Sequence, residues 1–387
     1  MARSIPYGRQ NITQADLDAV KDVLVSDFLT QGPAVASFET AFSKYVNAKH
    51  SVAVSNGTVA LHLACLALGL EKGDRVITTP ITFAASGNAA LYCGAEVYFV
   101  DIDPETFVMD LDKLKNLLAS KPKGYFKGVI PVDFTGYPVN TEKLKHIVDS
   151  YDMWILKDAC HAPGAYFTDS TGEKVFSGQN KYADLTIFSF HPVKHIACGE
   201  GGMITANDDK LFEDLSLLRT HGITRTDLEY SAYSEESQGA WYYEMQSLGY
   251  NCRLTDMQAA LGESQLNRAE EGVARRNEIA AYYRDNLVGV PMIQHKKDDS
   301  LNAHHLYVIQ TEKRKDLYDF LRTKQIYTQV HYIPLHLMPF YSQFGWKKGD
   351  FPNAESYYDQ CLSLPMYPSI TDEELAYVVE QIKLFYS

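Results

Sequence analysis

The chain has 387 residues, of which 45% are hydrophobic, and a formal net charge of −13. That length supports a large core in two or more domains, and that acidity argues against a nucleic-acid backbone as partner. No run approaches the ~18 apolar residues of a membrane span, MARSIPYGRQ holds no apolar signal core, and Cys65, Cys93, Cys160, Cys198, Cys252 and Cys361 include no pair with the close spacing of a zinc or redox motif, so a soluble cytoplasmic protein with free thiols and no metal site is expected.

Helical patterns at 14–25 and 34–46 come first, split by the turn-like TQGP of 30–33. Strand candidates follow at 51–55, 75–79, 97–102, 128–134, 154–159, 185–190 and 202–206, with helical patterns at 58–69, 82–93, 110–120 and 141–151 between most of them. The strand cores are continuous Val/Ile/Phe runs, the pattern of a sheet covered on both faces. An α/β sandwich with a mostly parallel sheet follows. Beyond it come a helix at 208–221, a polar aromatic segment at 231–246, and one long helix over about 256–288. The remainder mixes strands (HHLYVIQ, TQVHYI) with helices at 315–324 and 372–386, which reads as a smaller α+β domain. The expected division is a large domain over 1–250 and a C-terminal one over 251–387, packed tightly together.

Three constellations fall near strand ends, where ligands bind in open α/β sheets. Ser55-Asn56-Gly57-Thr58 opens a helix, so it is either an ordinary cap or a phosphate cup on the helix N-terminus. Asp158 and His161 end the strand 154–159, either as a helix cap with a structural histidine or as groups reaching a ligand. Ser189, His191 and Lys194 leave the next strand ahead of Gly199, Gly201 and Gly202, and Lys194 is either a solvated loop residue or a buried amine able to form a Schiff base. Neither GxGxxG nor GxxxxGK[ST] occurs, which leaves no standard dinucleotide or Walker loop. A phosphate cup, a carboxylate and a lysine on one sheet edge are together what pyridoxal phosphate requires. Phe83, at the start of the helix after strand 75–79, supplies a candidate aromatic cover for its ring.

With LTQGPAVASFE, AVSNGTVALHLA, TTPITFAASGNAAL, GAEVYFVDID, KDACHAPGA, SFHPVKHIACGEGGM, the RTHG of 219–222 and GYNCRLTDMQAALG, the chain resembles the fold-type-I aminotransferases of nucleotide-linked keto sugars, the DegT/DnrJ/StrS-type family. That resemblance implies a three-layer α/β/α large domain around a seven-stranded sheet, pyridoxal phosphate as cofactor and a homodimer with shared sites. It implies Lys194 as the Schiff-base lysine and Asp158 as partner of the pyridine nitrogen. His161 falls near the phenolic oxygen, Gly57, Thr58 and Ser189 at the phosphate, Phe83 over the ring, and Asn251 at the phosphate of the partner's cofactor. Arg253 is read as facing substrate phosphates. Tyr7, Gln31, His191, His331, Tyr332 and the 231–246 segment are candidate sugar and nucleotide contacts, against packing roles for each.

Within the family the chain is similar to the C4 aminotransferases of the pseudaminic acid pathway, through FHPVKHI, QVHYIP and the TQG entrance. The implied reaction moves the amino group of L-glutamate to a UDP-linked 4-keto-6-deoxy-N-acetylhexosamine. The alternatives are another UDP-, GDP- or dTDP-linked 4-keto or 3-keto sugar, a sugar 3-dehydratase, which would carry histidine in place of Lys194, and a non-catalytic regulator on the same fold. Cys198, close to Lys194, is either alkylation-sensitive or buried and inert.

Overall fold

A computed structural model describes residues 4–230, 232–290 and 300–387. Met1 to Arg3 of the N-terminal reading and Ser231 of the aromatic segment lie outside the described residues. Helices α1 (Gln14–Leu24) and α2 (Pro33–Val46) precede β1 (His50–Val54) and α3 (Gly57–Ala67). Then come β2 (Arg75–Thr78), α4 (Ala84–Tyr92), β3 (Glu96–Phe99), α5 (Leu111–Ala119), β4 (Gly128–Val129), α6 (Thr141–Val148) and β5 (Trp154–Asp158). A hairpin of β6 (Tyr166–Thr168) and β7 (Lys174–Phe176) leads into β8 (Leu185–Ser189), β9 (Gly202–Ala206) and α7 (Asp209–Arg219).

The seven large strands lie in the order β1-β9-β8-β5-β4-β2-β3, and β9 alone runs against the rest. This is the fold-type-I arrangement, a mostly parallel sheet with helices around it. Reversal of β9 matters locally. Gly202, its first residue, is paired with both Val54 and Ser189, so the glycine turn lies between the ends of β1 and β8. Gly199, at φ +85°, takes the left-handed turn that a side chain would strain. The strand expected over 128–134 shortens to β4, because Pro131 has no amide to give a ladder; the chain continues only as a bridge from Val132 to Asp158.

After α7 come the small hairpin β10 (Ile223–Thr224) with β11 (Glu244–Met245), then α8 (Asp256–Leu266) and α9 (Ala269–Asn286). One long helix over 256–288 is therefore corrected to two. Arg268 sits between them at φ −122°, ψ 17°, outside the helical region. Its guanidinium is drawn to Asp16 Oδ1 at 2.9 Å and the Asn11 carbonyl at 2.8 Å, which ties the break to the N-terminal helices. The C-terminal part adds β12 (Tyr307–Gln310), α10 (Arg314–Thr323), the single turn α11 (Pro339–Ser342), α12 (Pro352–Gln360), β13 (Cys361–Leu364) and α13 (Asp372–Tyr386), with β12 and β13 antiparallel.

TQVHYI is no strand: Gln329 exchanges two hydrogen bonds with Ser363 and the pairing stops there. Pro334 cannot extend a ladder, and His331 and Tyr332 turn toward a cavity instead of a sheet neighbour.

Two apolar cores explain how the parts cohere. One joins Val54, Val76, Leu156, Ile187 and Ile204 of the sheet and Leu61 of α3 to Leu306, Val308, Tyr341 and Tyr357 of the C-terminal part. The other gathers Ile279, Tyr283, Ile309, Leu317, Leu364, Val378 and Ile382, and takes in Ile5 from the N-terminal segment. Ile5 is anchored by its amide donating a hydrogen bond to the Gln325 carbonyl at 2.9 Å and by its carbonyl accepting one from the Tyr327 amide at 2.8 Å. The Tyr7 carbonyl accepts from Met366 at 2.9 Å, so the N-terminal segment crosses the C-terminal part beside the sheet's carboxyl edge. No helix among the described residues is long and apolar enough to cross a membrane.

Candidate active site

A cavity of about 640 Å³ opens at the carboxyl ends of β1, β2, β5 and β8. Tyr7, Gly57, Thr58, Phe83, Asp158, His161, Ser189, His191, Lys194, His331 and Tyr332 all line it. Residues scattered over more than 320 positions of sequence converge there because parallel strands end on one edge. Larger concavities exist elsewhere, but none gathers these chemical groups.

Each wall has a local cause. Asn56 caps α3 by accepting from the Val59 amide at 2.9 Å, while the amides of Gly57 and Thr58 belong to the first turn and lack intrahelical partners. Any side chain on Gly57 would place its Cβ 2.9 Å from Ser189 Cβ. One on Gly202 would come 2.6 Å from the Asn56 carbonyl. The two glycines thus let β8, β9 and the start of α3 close up around a cup of backbone amides and a serine hydroxyl, which suits an anion.

Asp158, 5% exposed, is held from both sides: Oδ2 accepts from Ser86 Oγ at 2.7 Å and Oδ1 from the Cys160 amide at 3.1 Å. Phe83 stands at the rim, 60% exposed, with Tyr332 as an aromatic neighbour at 6.1 Å. An exposed aromatic at a cavity mouth is what a flat ring requires for cover. His161 is buried, and its Nδ1 has no partner among the described residues, a polar vacancy that a ligand oxygen would fill. Its Nε2 lies 3.4 Å from the Tyr332 hydroxyl. His331, ring 5.2 Å from that of Tyr7, fixes its Nδ1 at 2.8 Å from Ser363 Oγ.

Lys194 borders this cavity and a smaller one behind it. Burial pulls its amine below the ordinary lysine value; the Asp158 charge opposes that and Arg276 reinforces it. His161 and His305 are pushed well below the ordinary histidine range, first by burial and then by Lys194, and His331 is pulled down to about 3 by the same causes. The pocket therefore keeps its bases neutral and its lysine easier to deprotonate, the state a nucleophilic amine requires.

The donor set fits pyridoxal phosphate. The cup at α3 would take the phosphate, Asp158 the ring nitrogen, Phe83 one ring face, the open His161 Nδ1 the phenolic oxygen, and Lys194 the aldehyde carbon.

Gln31, Arg253 and Asn251 are not in this cavity. Gln31 and Arg253 line a separate one with Tyr243 of the aromatic segment. They are brought together because Asp256 accepts from the amides of Gly32 and Ala34 and so pins the TQGP turn beside Arg253. Asn251 is exposed and bridged to Thr220. Four residues at the site carry no signal in the sequence: Cys160 and Glu200, which also line the cavity, Ser86, which holds Asp158, and above all His305, whose Nε2 lies beside Lys194 Nζ and whose segment reads only as a strand. Ser86 lies within the TFAASGN motif, yet nothing in its spacing shows that it meets a residue 72 positions away. Cys198 is 3% exposed, its thiol is pushed up to about 12 by burial and then Glu200, and it is inert by environment.

Comparison with known proteins agrees with this geometry. The model of the DegT/DnrJ/EryC1/StrS aminotransferase family matches residues 10–383. The spore coat polysaccharide biosynthesis protein SpsC of Bacillus subtilis is 37% identical over 98% of this chain and 96% of its own. A UDP-4-amino-4,6-dideoxy-N-acetyl-beta-L-altrosamine transaminase of Campylobacter jejuni is 34% identical over 98% of this chain and 96% of its own. The pyridoxal-phosphate form of the putative sugar aminotransferase Spr1654 of Streptococcus pneumoniae superposes with a TM-score of 0.86 at 28% identity, covering 99% of this chain and 98% of that one. The chain belongs to the DegT/DnrJ/EryC1/StrS aminotransferase family and is a pyridoxal-phosphate-dependent sugar aminotransferase.

Proposed function

We propose that the chain moves the amino group of L-glutamate to C4 of a UDP-linked 4-keto-6-deoxy-N-acetylhexosamine. It would act as a cytoplasmic homodimer with shared sites, in keeping with six free cysteines. The observation that carries the reading is the convergence of Lys194, Asp158 and the α3 amides on one cavity. The activity for which the Campylobacter jejuni relative is named supports the sugar. In the dimer, Asn251, Gln31, Arg253 and the aromatic hairpin of one subunit serve the other subunit's site.

Bound pyridoxal phosphate supplies an electron sink and carries the amino group between donor and acceptor. Lys194 Nζ, in its neutral form, would take the proton from the donor's Cα and deliver it across the donor nitrogen to the cofactor's C4′; in the second half it would run the same transfer backwards. Asp158, held by Ser86 and the Cys160 amide, keeps a proton on the ring nitrogen. Gly57, Thr58 and Ser189 hold the phosphate, and Phe83 covers the ring. Tyr7, His191, His331 and Tyr332 face the space left for the sugar.

The test has two parts. Borohydride reduction of the yellow protein followed by peptide mass spectrometry should place the cofactor on Lys194, and Lys194→Ala should lose both the visible absorbance and turnover. Incubation with L-glutamate and a panel of UDP-, GDP- and dTDP-linked 4-keto and 3-keto sugars should form 2-oxoglutarate fastest with the UDP-linked 4-keto hexosamine. Preference for a different nucleotide or for a 3-keto sugar would overturn the substrate; wild-type turnover in Lys194→Ala would overturn the lysine's role.

A further inference from the structure

His305 is buried at 4% exposure and lies outside every motif that pointed to the site. Its Nε2 is 3.4 Å from Lys194 Nζ, the hydrogen-bond partner of that amine among the described residues. The ring has two histidine neighbours, both tilted against it: the His161 centroid is 4.3 Å away and the His195 centroid 5.7 Å. Its backbone is clamped. Buried Arg276 donates to the carbonyls of His304 at 3.1 Å and His305 at 3.3 Å, and Leu306 donates to Thr135 at 3.2 Å. His195 Nε2 reaches the Ala303 carbonyl at 2.8 Å, two residues before His305.

We propose that His305 is a positioning residue for Lys194: its Nε2 accepts a hydrogen bond from the lysine amine and holds that amine over the reacting carbon while the cofactor is attached to the amino donor. This rests on the assignment of Lys194 as the cofactor lysine. The physical reason for an imidazole at this position is charge. A carboxylate there would stabilise the ammonium and make the lysine a poor base, whereas a neutral ring orients the amine with far less stabilisation of its charge. Asp158, the carboxylate whose charge acts on Lys194, is already committed to Ser86 and the Cys160 amide. When Lys194 carries the proton it is a donor only, so Nε2 must present its lone pair and the ring hydrogen must sit on Nδ1. That Nδ1 has no partner among the described residues.

Other ionisable groups around the amine are Asp158 and Cys160 at the end of β5, His161 beyond them, Arg276 of α9, His195 next in the chain, and His331. Burial lowers the pKa values of the three histidines well below the ordinary value in the case of His161 and His195 and to about 3 for His331, so none supplies a charge that competes with His305.

The test compares His305→Leu, which removes the acceptor, with His305→Gln, which retains one at similar reach; His305→Asn, too short to reach, replaces the leucine variant if that fails to fold. Three readouts are taken on protein loaded with pyridoxal phosphate or pyridoxamine phosphate: the lysine marked by borohydride, exchange of the L-glutamate Cα proton with deuterated solvent, and the pH dependence of Lys194 reductive methylation. We expect the mark on Lys194 in every variant, with Cα exchange at least tenfold slower in the acceptor-free protein and within about threefold of wild type in His305→Gln. The methylation midpoint should fall by about one pH unit in the acceptor-free protein, because the ammonium loses its acceptor. A mark on another lysine overturns the underlying assignment. A mark on Lys194 with exchange and midpoint both unchanged, or with His305→Gln as impaired as the acceptor-free variant, overturns the role of His305 alone.

Discussion

Gly57→Ala tests the cup at the start of α3. The new Cβ would stand 2.9 Å from Ser189 Cβ, 3.3 Å from Ser189 Oγ and 3.5 Å from Cys160 Sγ. Carbon atoms in contact prefer about 3.5–4.0 Å, so Ser189 or the first turn of α3 must retreat by roughly 0.6 Å or more. Ser189 ends β8 and is held in register with Gly202, while α3 is capped by Asn56, so neither moves freely. Loss of one well-aimed hydrogen bond to a charged phosphate costs about 1.5–3 kcal/mol, which is roughly a 10- to 150-fold weaker affinity. Overpacking should cost stability about 1–3 kcal/mol in addition. Titration of cofactor-free protein with pyridoxal phosphate, followed by visible absorbance, gives the affinity; thermal melting of the same samples gives the stability. Wild-type affinity in a folded Gly57→Ala protein would refute the cup, and an equal loss of affinity for pyridoxal without its phosphate would show that the helix start is not where the phosphate binds.

Four further outcomes are expected. Ser86→Ala removes a 2.7 Å donor to Asp158 and should weaken cofactor binding by about tenfold, read in the same titration. Asp16 accepts from the Thr13 amide, Ser264 and Arg268 while buried; burial would raise its pKa, but these bonds outweigh it and hold the carboxyl below its usual value. Asp16→Ala should therefore destabilise the fold by about 3 kcal/mol in denaturant melts at pH 7, and the deficit should shrink as pH falls through the depressed value, where the wild-type carboxylate is also lost. His161, His195, His305 and His331 are all held neutral chiefly by burial. The unfolded chain takes up protons on them below about pH 6.5 and the folded one does not, so stability should drop on acidification from that point, by up to about 1.4 kcal/mol per histidine per pH unit; His195→Gln should make the slope visibly shallower. Finally, hydrogen bonds from Cys65 and His62 lower the half-buried Cys93 thiol. Brief iodoacetamide treatment at pH 7 should label Cys93 first and leave Cys198 unmodified by peptide mapping.

The element types were legible where one local cause decides them. Continuous Val/Ile/Phe runs gave the strands, helical periodicity the helices between them, and SNGT the capped start of α3. That Lys194, Asp158, Phe83, Gly57 and Ser189 border one cavity was also legible, because the strand pattern puts them at the ends of one sheet, while the roles expected of them came from the family resemblance. Failures had nonlocal causes. The break at Arg268 depends on Asp16, 252 positions earlier. TQVHYI has strand composition, but its outcome was set by Pro334 and by the cavity it faces.

The chain alone thus determined the parallel sheet and set a capped helix start, a carboxylate and a lysine at its strand ends, because each follows from periodicity or from residue type within a few residues. Only the tertiary structure decided that β9 runs backwards to seat Gly202 against Asn56, that Ser86 holds Asp158, that Gln31 and Arg253 share a cavity of their own, and that His305 meets Lys194 from 111 positions away. Those contacts are set by which strand ends and loops pack together, a property of the whole core that no local stretch of sequence encodes.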